Sequence, residues 1–162
     1  MKPIIISMLV CSTLLFAFNR DDFKHLKEEG DCPKCDLSYA DLRGIDLSMS
    51  DFTDANLTHA NLGSTLAHKA DFTRADLNYA VFANANIKGA SFVSARLKSV
   101  NFYAARIWKG NFSHARIDHC NFNESALGSA IFDDNNLTNS TFSGAILYKT
   151  VFHKNVVGVP GK

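Results

Sequence analysis

From Leu37 to Val157 a large apolar residue returns at every fifth position: of these 25 positions all but Ala67 are Leu, Phe, Ile or Val. A helix buries residues that recur every three or four positions, and a strand every second one. A period of five fits neither, and self-similarity at a fixed short period is the mark of a chain that coils on itself. Two positions before each large residue runs a second column of small ones, from Cys35 and Ala40 to Ala145; only Ile45, Val100, Asn135 and Asn155 in it are larger than Thr. Between the two columns the early repeats carry Asp or Asn: Asp36, Asp41, Asp46, Asp51, Asn56, Asn61, Asp71 and Asp76.

Stretches such as ADLRG, ANLTH, ADFTR and ADLNY make the pattern similar, letter for letter, to the pentapeptide-repeat family, whose unit is A(D/N)LXX. The resemblance covers nearly all of the chain after residue 31. It implies an all-β fold, a right-handed quadrilateral parallel β-helix in which each pentad forms one side of a 20-residue coil. The residues support four sides independently. From Phe72 the large positions alternate, so that Phe recurs every ten residues: Phe72, Phe82, Phe92, Phe102 and on to Phe152. In a 20-residue coil, residues 20 apart stack, and each column is pure; a 15-residue triangular coil would set Phe on Leu. The small column follows from the narrow interior, which admits a second inward residue per side only if it is close to Ala in size. Twenty-five sides make just over six coils, a rod of roughly 30 Å at about 4.8 Å per coil. Each coil contacts mainly its neighbours, so the ends need capping.

The chain divides at these landmarks. Residues 1–18 read as a signal peptide: Lys2 precedes an apolar run, Ile4 to Phe18, shorter than a spanning helix. The expectation is an exported protein, periplasmic or secreted, with an uncleaved anchor or a lipidated Cys11 as alternatives. Residues 19–31 read as a helix capped by Asp21 or Asp22, with Phe23 and Leu26 on one face and Gly30 as a stop. This plug precedes a solenoid over 32–157 and a tail over 158–162. At "STLAHKA" the favoured reading is a local bulge that turns Leu66 inward, because Ala67 in the large column would leave a void costing about 2–5 kcal/mol. The end VVGVPGK offers no covering helix, and an open sheet edge invites self-association, so a homodimer through the C-terminal coil is expected.

Without Lys2 the remaining chain carries 16 basic and 16 acidic side chains, which argues against bulk attraction to nucleic acid. The distribution is uneven: residues 19–80 have 7 basic and 12 acidic groups, residues 81–162 have 9 and 4. Cys32 and Cys35 form a C-x-x-C at the mouth of the first coil, and the five-residue frame turns both sulfurs toward the cap. In an oxidising compartment this favours a structural disulfide; similar CxxCDL openings in the pentapeptide-repeat family agree with a capping role. A redox pair needs an exposed thiol at a helix N-terminus. A zinc site needs two further ligands at suitable spacing, and no second pair supplies them. Cys120 stands in the small column as a core residue.

His25, His59, His68, His114, His119 and His153 include no metal-ligand spacing, and those within the repeats fall on outward positions. No Ser, His and carboxylate arrangement and no phosphate-binding glycine loop is present, so no catalytic residue, cofactor or metal is expected. Stacked carboxylates such as Asp51 and Asp71 are products of the repeat, whose Asp or Asn bonds to corner backbone. The Asn-x-Ser/Thr strings at Asn56, Asn111, Asn123, Asn136 and Asn139 arise in the same way and matter only in a host that glycosylates exports. Outward columns align Asp76, Arg96 and Arg116; Lys88 and Trp108, with Tyr148 two coils on; and Tyr39, His59 and Tyr79. Trp and Arg dominate binding hot spots, which makes Arg96, Trp108 and Arg116, with Lys88 and Tyr148, the candidate contact surface. A non-catalytic scaffold for an unknown protein partner is the favoured function. Members of the family that mimic B-form DNA and protect gyrase from quinolones supply the alternative, against which neutral charge and a leader both weigh. A C-x-x-C redox protein is the third.

Overall fold

The computed structural model describes residues 19–153 and 155–161, and the expected leader lies outside them. Parallel bridges join residues 20 apart along four columns. The first side bridges through Asp36, Asn56, Asp76, Arg96 and Arg116; the second through Asp41, Asn61, Val81, Asn101, Asn121 and Thr141. The third runs through Asp46, Leu66, Asn86, Arg106, Ala126 and Ile146, and the fourth through Asp51, Asp71, Ser91, Asn111, Ile131 and Val151. Among the described residues only four stretches are long enough to count as strands: β1 (Arg96–Lys98), β2 (Arg116–Asp118), β3 (Ile131–Phe132) and β4 (Val151–Phe152), with β1 beside β2 and β3 beside β4. The result is a parallel solenoid with four sides per turn.

Each corner has one construction. The carbonyl of the large residue accepts from the N–H three positions on, as Phe92 does from Ala95 at 3.0 Å. The residue two past the large one sits in the left-handed region, for example Tyr39 at φ 60°, His59 at 59° and Tyr79 at 64°. Such a φ costs a non-glycine residue about 1 kcal/mol, and the ladder on both sides holds it. The Asp or Asn column meets its expectation. Oδ1 of Asp36, Asp51, Asn56, Asp71 and Asn111 accepts the N–H two residues later at 2.8–3.1 Å, closing the turn from outside.

Inside, the phenylalanines form two ladders. Phe52, Phe72, Phe92, Phe112, Phe132 and Phe152 stack at 4.9–5.4 Å on the fourth side. Phe82, Phe102, Phe122 and Phe142 stack opposite, at 4.9–5.3 Å. The ladders meet edge to face across the axis, as in Phe82–Phe92 at 5.9 Å and 87°. Each of these geometries is favourable for an aromatic quadrupole. The alanine column lies between them, fully buried from Ala55 to Ala105, and leaves the rings room to interlock.

Three expectations are corrected. There is no bulge at residue 66: Leu66 bridges Asp46 and Asn86 in register and is 45% exposed, while Ala67 is buried. A bulge would surrender ladder bonds on both neighbouring coils, such as Leu66 N–H to the Ile45 carbonyl and Ala67 N–H to the Asn86 carbonyl. Beside Ala67, Thr65 and Ile45 enlarge the small column where the large one is deficient. At the far end Val157 points outward, not inward. Its bridge partner is Asn136, so the last side is one residue longer than the rest. Val156 packs on the core, and Gly158, at φ 72°, sits so close to the Thr138 backbone that no Cβ fits.

The third correction concerns the helix. α1 (Arg20–Glu29) starts before the acidic pair, and Asn19, not Asp21 or Asp22, caps it, accepting from the Asp21 and Asp22 N–H groups. Gly30 ends it in the left-handed conformation as expected, and Leu26 is the residue it buries. Asp22 instead ties the helix to the first coil. Its Oδ2 accepts the Asp36 N–H at 2.7 Å, while the Asn19 N–H donates to the Asp36 carbonyl. Asp31 accepts the Asp51 N–H at 2.8 Å. These groups belong to the first coil's upper edge, where a preceding coil would otherwise pair. At the lower edge Phe142, Leu147 and Phe152 remain half-buried, and no described helix covers them.

Candidate functional site

With the interior filled, chemistry is confined to the outward residues, and four sides separate them. Arg96 and Arg116 pair in β1 and β2 on the first side. Lys88, Trp108 and Tyr148 follow the bridge residues Asn86, Arg106 and Ile146 on the third side. In a four-sided coil these sides are opposite, so the five expected contact residues do not form one surface. Arg96 is also engaged: its Nη1 meets Asp76 Oδ2 at 3.3 Å. Trp108 lies flat over Gly128, occupying the space a side chain there would fill, and is only half exposed. Tyr148 is 60% exposed, with the Lys149 ammonium 5.2 Å from its ring centre.

The aromatic column on the first side is as aligned as expected. Tyr39, His59 and Tyr79 stack at 4.6 and 4.7 Å, nearly parallel. On the fourth side the Arg74 guanidinium grips Asp54 through two bonds of 2.8 Å, and this hydrogen bonding holds the Asp54 carboxyl below its usual range. Arg43 does the same to Asp41. Asp118 is lowered chiefly by the Asn139 amide, with His119 at 2.7 Å assisting. These are exposed contacts, within one side for Asp41–Arg43 and between neighbouring coils for Asp54–Arg74 and Asp118–Asn139, rather than activated groups.

Cys32 and Cys35 are bonded to each other, Cα atoms 5.3 Å apart, beneath α1, and both are buried. Cys120 is buried in the small column, its thiol pushed up to about 12 by desolvation and donating to the Leu97 carbonyl at 2.9 Å. It is not poised as a nucleophile. Among the described residues no three His, Cys, Asp or Glu side chains gather as a metal site, and no helix is long and apolar enough to cross a membrane.

Two of the surface depressions adjoin the third side's apolar and basic residues. One, of about 460 Å³, lies between α1 and the third side and is lined by Phe23, Leu26, Ile45 and Leu47. The other, about 350 Å³, opens where Gly89 lacks a side chain and is lined by His68, Lys69, Lys88 and Lys109. Lys69 and Lys109 were not singled out from the sequence. Stepping by 20 from Lys69 through Gly89 to Lys109 would have found them.

The sequence model "Pentapeptide repeats" matches in 8 copies over residues 34–65, 68–102 and 111–147, well over half of the chain. Among solved structures, a pentapeptide repeat protein from the Arabidopsis thaliana thylakoid lumen is 29% identical, with a TM-score of 0.40. That likeness covers 64% of this chain and 62% of the other, so the chain spans less than two thirds of that relative's length. The pentapeptide repeat protein Rfr23 from the cyanobacterium Cyanothece 51142 is 18% identical over 85% of this chain and 97% of its own, with a TM-score of 0.46. QnrB1, a plasmid-mediated fluoroquinolone resistance protein, is 14% identical over 78% and 68%, with a TM-score of 0.31. No curated protein matches the chain in sequence.

Proposed function

Because the chain belongs to the pentapeptide-repeat family, we propose that it is a non-catalytic exported scaffold, a right-handed rod of about six coils that presents flat sides to a protein partner. The observation that carries this reading is the aromatic interior. Eight phenylalanines from Phe52 to Phe132 have essentially no exposed surface, so the tube holds no reaction chamber and its outward residues stand on a rigid lattice. Export rests on the leader in residues 1–18, and Cys32–Cys35 serves as a structural staple under the α1 cap. The half-buried Phe142, Leu147 and Phe152 of the last described coil support a homodimer through the C-terminal coil.

Mimicry of DNA remains the second reading, since it is known within the family. It requires a dense acidic surface, whereas Asp54, Asp41 and Asp76 are each matched to an arginine. Crosslinking the tagged protein in its host, followed by identification of attached chains, tests the two together. Recovery of exported or envelope proteins supports the scaffold; recovery of topoisomerase alone replaces it with the mimic. Light scattering of the purified protein at the mass of one chain removes the dimer.

A further inference from the structure

The third side differs from the other three in its charge. Its five lower segments, residues 66–70, 86–90, 106–110, 126–130 and 146–150, contain Lys69, Lys88, Arg106, Lys109 and Lys149 and no Asp or Glu. All five cations are exposed. None is in an ion pair with a described carboxylate, in contrast to Arg43, Arg74 and Arg96 on the other sides. The carboxylates nearest in the lattice stand at its margins: Asp46 in the first coil, Asp71 at the corner after Lys69 and Glu124 at the corner before Ala126. The opposite side, by comparison, sets Asp76 and Asp118 against Arg96, Lys98 and Arg116.

Apolar side chains share the same plane. Leu66 is 45% exposed, Ile146 53% and Tyr148 60%, and Trp108 lies flat between the two ends. Lys69 and Lys149 are four coils apart, about 19 Å at the strand spacing. This is a planar, acid-free array with apolar tips at both ends and a lysine-ringed depression of about 350 Å³ at Gly89.

We propose that the third side is a docking surface for an anionic lipid bilayer. Charge complementarity selects a polyanion, because five unpaired cations on one plane attract a continuous negative surface. The apolar tips then choose among polyanions. A bilayer interface accepts Leu66, Ile146 and the rings of Trp108 and Tyr148 at the headgroup level, whereas the phosphate backbone of a nucleic-acid duplex curves away from a flat side and offers those groups nothing. The Gly89 depression receives a headgroup phosphate among Lys69, Lys88 and Lys109. This attachment is peripheral and needs no spanning segment.

The test is co-sedimentation of the full chain with vesicles of phosphatidylserine and phosphatidylcholine against vesicles of phosphatidylcholine alone. The readout is the ratio between the two, since the apolar residues 4–18 act on both alike. The native chain prefers the anionic vesicles, and salt weakens the preference. A K69Q/K88Q/K109Q variant loses about 100-fold in that ratio, from about fivefold per basic residue near the surface. R96Q/K98Q/R116Q removes the same charge from the opposite side and keeps it, with circular dichroism confirming that both variants fold. The proposal fails if the native chain shows no anionic preference, if both variants lose it equally, or if a short DNA duplex binds more tightly than the anionic vesicles.

Discussion

Replacing Phe92 by Ala tests whether the tube is held by its aromatic rungs. Phe92 is fully buried, stacked on Phe72 at 5.2 Å and Phe112 at 4.9 Å, and edge-on to Phe82 at 5.9 Å and Phe102 at 5.7 Å. Truncating a buried Phe costs about 3–5 kcal/mol, and four ring partners place this site toward the upper end. Phe152 makes the comparison. It stacks on Phe132 at 5.4 Å and is half-buried at the open end. Three fewer ring pairs, at about 0.5–1.5 kcal/mol each, put its truncation at least ~1.5 kcal/mol below that of Phe92. In thermal unfolding followed by circular dichroism, F92A should lower Tm by about 8–20 °C, from about 4–5 kcal/mol at ~2–4 °C per kcal/mol, and F152A by far less. Equal losses would refute the reasoning, because they would mean that a rung's worth does not depend on its stacked neighbours.

Other expectations follow from single contacts. Reduction of Cys32–Cys35, or the C32S/C35S variant, should cost about 2 kcal/mol by loop-closure entropy, seen as a lower Tm under dithiothreitol; an unchanged Tm rejects the staple. Gly128→Val must lift Trp108 from its seat, so the emission of the single tryptophan should shift to the red, and an unaltered spectrum would contradict the packing. Asp54, whose carboxyl is depressed by Arg74, stabilises the folded chain at pH values above the ordinary carboxylate pKa of about 3.9. That contribution fades as pH falls below it, so Arg74→Gln should flatten the acid limb of a stability profile while leaving its shape between about pH 5 and 8 unchanged.

The architecture could be read from the residues because one constraint repeats. A side of five residues must place one large and one small group inward, and a column of Phe must sit on Phe, so the register from 36 through 151 follows except at residues 65–67. Where the reading failed, two terms competed and only the structure shows the winner. At Leu66 and Ala67 the volume of the large column argued for a bulge, but in-register ladder bonds outweigh one missing side chain, and Thr65 and Ile45 fill in from the small column. At Val157 the period was extended one side too far, past the point where Gly158 must pass the Thr138 backbone. Arg96 and Trp108 were grouped by residue type, although a separation of 12 in a coil of four five-residue sides already places them opposite. Asp22 is as good a cap by residue type as Asn19, and only the distant Asp36 amide, which Asp22 accepts from, decides between them.

The 20-residue register of the bridges sets a rule for how such a gene can change length. Duplicating one pentad keeps the motif intact yet rotates everything downstream by a quarter turn, laying aromatic rungs over aliphatic ones and moving every charged stripe onto a neighbouring wall. Duplicating four restores each residue to its own wall. Growth by whole turns is thus the cheap path, and the wall that carries lysines would lengthen in step with the rod.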